Sequence, residues 1–141
     1  MINLKELHDD DGISISPIMP KGKQNYLIDI DGTICDDCPN EEPERMITAK
    51  PYLNARDTIN EWHDQGHIIT FFSARTHEHR GITMRWLSDH GFKYHRLLLN
   101  KPRGGSYVWI DNHSIKGVTY KGIWSNLVCK VKEVTIFKEV I

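Results

Sequence analysis

The sequence is poor in several things, and each shortage removes a class of protein. Three cysteines in 141 residues are too few, and odd in number, for a disulfide framework; they fit a reducing, cytoplasmic setting. No stretch approaches the roughly 20 apolar residues that a membrane span requires. Met1 to Pro20 lacks a positive segment followed by an apolar run, so no signal peptide is expected there. Neither sign of charge dominates: 18 Lys+Arg face 19 Asp+Glu, a formal net charge of −1. A polynucleotide backbone selects basic patches, so nucleic acid is not the expected partner. What remains, 39% hydrophobic and 26% charged, suits one soluble domain with its own core.

Residues 1–24 read as a peripheral segment. Asp9, Asp10, Asp11 and Gly12 form an acidic turn, Pro17, Pro20 and Gly22 break regular structure, and a short strand at Gly12–Ile18 is possible. The domain proper is expected over 25–141. Tyr26-Leu27-Ile28-Asp29-Ile30 is an apolar run ending in a carboxylate, the mark of a buried strand delivering residues to a sheet edge. Residues 33–51, with Pro39, Pro43 and Pro51, are an excursion with hairpin character, too short for a core of their own. Ala55, Ile59 and Trp62 recur at helical spacing and Gly66 follows as a stop. Residues 67–72 read as a strand, Glu78 to His90 as a helix closed by Gly91, and Tyr94–Leu99, Tyr107–Ile110 and part of Val131–Phe137 as further strands. Strands alternating with helices imply an α/β fold, a three-layer, doubly wound, Rossmann-like and mostly parallel sheet in a single domain. In such sheets ligands bind beyond the carboxyl ends of the strands.

Four strand ends carry candidate chemistry. In Asp29-Ile30-Asp31-Gly32-Thr33, two carboxylates two residues apart project to one side, where like charges require a cation or a proton between them. Gly32 permits the turn. This motif after an apolar strand resembles the first motif of the haloacid dehalogenase superfamily of phosphatases and phosphotransferases. The remaining motifs follow in that family's order across residues 25–112. Ser73 ends the next strand, where a hydroxyl and a free backbone N–H suit a phosphoryl oxygen, although an isolated Ser more commonly caps a helix. Lys101 follows the third strand, where an ammonium neutralises nucleophile and phosphoryl group. Asp111-Asn112 ends the fourth; the family usually carries a second acid where Asn112 stands.

The resemblance implies a role for each position. Asp29 would attack phosphorus, and Asp31 would protonate the leaving oxygen and then activate water. Gly32, Thr33, Ser73, Ala74, Arg75 and Lys101 would hold the phosphate. Mg²⁺ would be held by Asp29, the Asp31 carbonyl and Asp111, with Asn112 beside it. Residues 100–106 leave no room for a second cap insertion, so the chain resembles the capless branch, with a site open or closed by another subunit; homo-oligomers occur there. The expected substrate is a small phosphorylated metabolite, with a sugar phosphate among the candidates. The acidic stretch from Asp36 to Glu44 disfavours a polynucleotide. Arg45, Arg75 and Arg103 are available to a second anionic group, though surface arginines are common. A sugar-phosphate isomerase and a non-catalytic binding protein on the same fold are the rival readings.

Other residues are discounted. Cys35 and Cys38 have no second pair and read as reduced bystanders. His63, His67, His77 and His79 read as solvated, while His113 sits beside the fourth motif. Trp62, Trp86 and Trp109 read as core, and Trp124 as a residue available to an interface.

Overall fold

The computed structural model describes residues 10–12, 17–125 and 133–134, and the backbone of 7–8, 14–15 and 132. Strand β1 (Leu7–His8) pairs antiparallel with β2 (Ser14–Ile15). The main sheet follows: β3 (Asn25–Ile28), β4 (Ile68–Phe72) and β5 (Arg96–Leu98), parallel, in the order β3-β4-β5. Register sets Ile28 beside Phe71 and Phe71 beside Leu97. Helix α1 (Pro43–Thr48) and α2 (Ala55–Asp64) lie between β3 and β4; α3 (Arg80–Asp89) lies between β4 and β5. Short β6 (Lys116–Gly117) and β7 (Lys132–Glu133) pair antiparallel. The chain is a single α/β domain with a Rossmann-like parallel sheet. Among the described residues no helix is long and apolar enough to cross a membrane.

The elements form for readable reasons. Four of the five residues of β4 are buried, as expected of a central parallel strand. In α2, Ala55, Ile59 and Trp62 are the buried face, an i, i+4, i+7 stripe. Gly66, at φ +92°, turns the chain after it in a conformation that costs glycine least. Pro43 opens α1, where its missing N–H is not needed, and Met46 anchors it without exposure. Ile28, Ile30, Ile34, Ile59, Trp62, Ile69, Phe71, Trp86, Leu87 and Phe92 belong to one hydrophobic core. Tyr26 stacks flat on Trp62 at 4.2 Å, tying β3 to α2.

The differences from expectation are local, with one exception. The first core strand ends at Ile28, and the helix expected from Glu78 begins as a 3₁₀ turn at His77–His79 before α3. The 33–51 excursion carries α1 instead of a hairpin, though an isolated bridge joins Cys35 to Pro51 at its base. Of the strand expected at Gly12–Ile18 only Ser14–Ile15 pairs, and Ile13 and Ser16 lie outside the described residues. Within Val131–Phe137, only 132–134 are described. The exception is Tyr107–Ile110, expected as a fourth parallel strand, which pairs with nothing among the described residues. Gly104, Gly105 and Ser106, at φ +112°, +70° and +54°, turn the chain immediately before it.

Candidate active site

β3 releases the chain at Ile28, and Asp29, Ile30 and Asp31 turn sharply. Ile30 is fully buried, while Asp29 and Asp31 on either side of it line a cavity of about 400 Å³. The turn is locked by its own backbone. Ile30 O accepts from Thr33 N at 3.0 Å and Ile34 N at 2.9 Å, and Cys35 O accepts from Gly32 N at 2.8 Å. Gly32 sits at φ +80°, the conformation that favours glycine.

Asp29 is held from both sides. Thr33 Oγ1 donates to its Oδ2 at 2.9 Å, and Lys101 Nζ donates to its Oδ1 at 2.9 Å. Lys101 comes from a loop laced to the end of β4: Asn100 N donates to Arg75 O at 2.8 Å and Lys101 N to Ser73 O at 3.0 Å. The ammonium also lies 5.6 Å from the Phe72 ring centre and 5.3 Å from that of Tyr107, within cation–π range. The ion pair is shielded, with the Lys101 side chain 12% exposed and that of Asp29 35%.

Asp31 has a different partner. Arg75 Nε donates to its Oδ2 at 2.9 Å and Arg75 Nη2 to its Oδ1 at 2.8 Å, a bidentate pair. Arg75 Nη1 donates to Thr83 Oγ1 at 2.9 Å, and Arg75 N to Ser73 Oγ at 3.1 Å. Arg75 is 1% exposed. Burial works against its charge, but the hydrogen bonds and ion pair with Asp31 carry its pKa above the ordinary value. A weaker bond from Cys38 N reaches Asp31 Oδ1 at 3.3 Å.

The excursion forms one wall of the cavity. Asn40 clamps it to the loop after β4: its Nδ2 donates to Ala74 O at 3.1 Å and its Oδ1 accepts from Thr76 N at 3.1 Å. At the rim, Arg103 Nη1 donates to Glu41 Oε1 at 3.0 Å. A second cleft of about 510 Å³ lies across the Asp31–Thr33 turn, with Gly32, Tyr52 and Tyr120 on its walls.

The structure thus brings Asp29, Asp31, Ala74, Arg75 and Lys101 to one cavity. It redistributes the rest. Gly32 faces the second cleft, and the backbone N–H groups of Gly32 and Thr33 are used inside the turn. Ser73 is fully buried behind the cavity; its N–H donates to Leu98 O at 2.9 Å, so it is not free for phosphate. Arg75, expected near the surface, is buried because Asp31 and Thr83 satisfy its guanidinium. Arg45 and Arg103 pair with Glu42 and Glu41 in solvent.

Asp111 and Asn112 do not line the cavity. The Asp111 carboxylate accepts instead from Trp109 Nε1 at 3.1 Å and His113 N at 3.0 Å, and these bonds hold its pKa below the usual carboxylate value. The unpaired run before it leaves Trp109 52% exposed instead of in the core. Within one copy, the residues do not make the expected Mg²⁺ centre. Asp29 and Asp31 are engaged by Lys101, Thr33 and Arg75, and no group of three His, Cys, Asp or Glu residues placed to hold a metal ion gathers among the described residues.

Sequence reasoning missed other contributors. Trp124 is 2% exposed, and its indole N–H donates to Thr33 O at 2.7 Å, pinning the turn that holds Asp29. His79, expected in solvent, is buried; its Nε2 makes no hydrogen bond and has Glu78 Oε1 at 3.7 Å. Cys35 and Cys38 are free, as expected, and both are buried; burial first, and the Asp31 carboxylate next, push the Cys35 thiol up to about 12.

A carboxylate at the end of a parallel strand, faced by a lysine across a small cavity, is a phosphatase-type site on an α/β fold. The chain belongs to the LNS2 domain family (PITM 1-3, LNS2 domain), which matches residues 26–122 and falls within the haloacid dehalogenase-like phosphatases, enzymes that typically use Mg²⁺. No curated protein matches the chain. A solved structure of a Vibrio cholerae structural-genomics target is 25% identical, covers 63% of this chain and 79% of its own, and superposes with a TM-score of 0.49.

Proposed function

We propose that this protein is a phosphomonoester hydrolase that acts through an aspartyl-phosphate on a small phosphorylated metabolite. The observation that carries the reading is Asp29, a strand-end carboxylate on the cavity wall with Lys101 Nζ at 2.9 Å. The ammonium offsets charge that would otherwise repel an incoming phosphate. Asp29 attacks phosphorus, the ester P–O bond breaks, and the leaving oxygen takes a proton. Water then cleaves the aspartyl-phosphate and returns Asp29. Asp31 gives and takes those protons only after Arg75 releases one of its oxygens, because both are now bound. Asn40 and Ala74 shape the wall, and a volume of about 400 Å³ suits a metabolite better than a polymer. Asp37 on the wall and Glu41 at the rim argue the same way.

The test is phosphate release from a panel of phosphorylated metabolites, with Mg²⁺ and with EDTA, by the parent and by Asp29→Asn. Release by the parent that falls at least ~10³-fold in the variant, the scale seen when a nucleophile is removed, is the expected result. A folded parent that releases no phosphate from any compound, or release unchanged in Asp29→Asn, overturns the reading.

A further inference from the structure

The cavity is charged unevenly along the chain. Asp29, Asp31 and Asp37 line it from the end of β3 and the excursion; Lys101, Arg103, Gly104 and Gly105 line it from the loop after β5. Lys101 meets Asp29, the carboxylate that attacks phosphorus in the reading above. An ammonium has three N–H donors, and Asp29 takes one of them. Arg103, two residues on, is a second cation on the same cavity, and the reaction as proposed makes no use of it.

Of the three arginines that the sequence offers to a second anionic group, the structure favours this one. Arg75 is 1% exposed, and Asp31 and Thr83 occupy its guanidinium. Arg45 does not line the cavity, and Glu42 and Asp37 O take its Nη groups. Arg103 lines the cavity, and its guanidinium meets Glu41 at 3.0 and 3.4 Å. Those bonds use two of its five N–H donors, and its Nε has no acceptor among the described residues. Both side chains of the pair are more than half exposed, and an exposed ion pair of this kind is weak.

The loop supplies neutral donors beside the guanidinium. Gly104 and Gly105 both have positive φ, and no acceptor among the described residues takes either N–H. Successive backbone N–H groups in turns form concavities that bind anions. A Cβ at either glycine would meet nothing within 4 Å, so it is the backbone conformation, not crowding, that favours glycine there.

We infer that the cavity takes a substrate with two anionic groups: its phosphomonoester on Asp29 and Lys101, and its second anion on Arg103 and the Gly104 and Gly105 amides, in the place that Glu41 now holds. The second anion is a carboxylate or a phosphate. The inference rests on the phosphatase reading for its first group, and binding measures it without turnover. Glu41 sets the selectivity. A ligand with one anion leaves the Arg103–Glu41 pair intact and gains nothing from Arg103. A ligand with two replaces a weak ion pair by one tied down at both ends. Asp37 on the same cavity repels the second anion, so the gain is expected to be about tenfold, the low end for a hydrogen bond to a charged group.

The experiment is calorimetric titration of the full chain with three non-hydrolysable probes, in EDTA and again in Mg²⁺. The probes are propylphosphonate, 3-phosphonopropionate and propane-1,3-bisphosphonate. A two-anion probe is expected to bind about tenfold tighter than propylphosphonate. An advantage for 3-phosphonopropionate names a carboxylate as the second anion; an advantage for the bisphosphonate alone names a phosphate. Arg103→Gln should abolish the advantage, Arg103→Lys should keep part of it, and Glu41→Gln should widen it. The Arg103 side chain is 58% exposed, so circular dichroism of the variants should match the parent. Two-anion probes that bind no tighter than propylphosphonate in either buffer, or an advantage that Arg103→Gln keeps, overturn the inference. Phosphate release separates the two readings. Binding that shows the contrast in a chain that releases no phosphate keeps this site and sinks the hydrolase; release without the contrast does the reverse.

Discussion

Residues 25–100 and residues 101–125 obey different rules in the same molecule. In the first, three parallel strands hold one another in register, Tyr26 of β3 stacks on Trp62 of α2, and Phe71 of β4 and Trp86 of α3 both pack on Phe92. In the second, no long element forms. The chain is fixed by a few side-chain pegs: Lys101 on Asp29, the Trp124 indole on Thr33 O, and Asn54 Nδ2 on Ser125 Oγ at 2.8 Å. The contrast teaches where this site gets its precision. Asp29, Asp31 and Arg75 inherit their positions from packed backbone, whereas the side chains of Lys101 and Trp124 reach back to Asp29 and to Thr33 O. Damage to the first region should therefore cost fold and site together; damage to the second should cost much less.

The sharpest break is Arg75→Met. It removes one partner of a shielded bidentate pair and leaves Asp31, 14% exposed, without its counter-charge. Losing one member of a buried pair typically costs about 3–5 kcal/mol. Urea denaturation should show a loss of that size, and Asp31→Asn added to Arg75→Met should recover part of it, because the stranded charge is then gone. A single variant as stable as the parent would show that the pair is not what holds this end of β4.

This pair also marks where the sequence stops being readable. The strands over 26–28 and 68–72 were legible from apolar runs, and α2 from its 3.6-residue stripe, because those signals are local. Asp29 and Lys101 were legible as a pair only through motif order, since 72 positions separate them. Arg75 was not: an arginine reads as surface until a carboxylate 44 positions away is known to face it. Tyr107–Ile110 failed for the opposite reason. Its local pattern is a good strand, but a strand needs a neighbour, and none of the described residues supplies one.

The next comparison sets a core residue against its counterpart in the exposed run. Ile69 is fully buried in β4 and Ile110 is 85% exposed. Ile69→Ala should destabilise by about 2–5 kcal/mol through lost burial and the cavity left behind. Ile110→Ala should stay within about 0.5 kcal/mol of the parent. A loss as large as that of Ile69→Ala would show that the run is packed away from water.

Trp124→Phe tests how much the pegs carry. The ring is mostly kept, and what goes is the indole N–H on Thr33 O, leaving a shielded carbonyl unpaired. That should cost about 1–3 kcal/mol. Because Thr33 supports Asp29, activity should fall more than stability alone explains. Equal loss in both would make Trp124 a packing residue only.

The smallest effect expected lies at the opposite end of the main sheet, where pH reaches it. His67 Nδ1 accepts from Gln24 N at 2.9 Å, and His95 Nδ1 accepts from Ile69 N at 3.0 Å. Both rings must be neutral at Nδ1 to accept. Burial pushes both pKa values below the ordinary 6.5, helped by Lys23 beside His67 and by His63 beside His95. The unfolded chain therefore binds more protons than the native one in the window between the lowered values and 6.5. Stability is complete above 6.5 and is lost as pH falls from there through the folded values. Thermal unfolding of the parent should drop between neutral and mildly acidic pH. In His67→Asn/His95→Asn the side-chain oxygen can accept the same N–H without titrating, so that part of the drop should disappear. An identical slope in parent and variant would move the acid sensitivity to the carboxylates, and with it to the cavity end of the sheet.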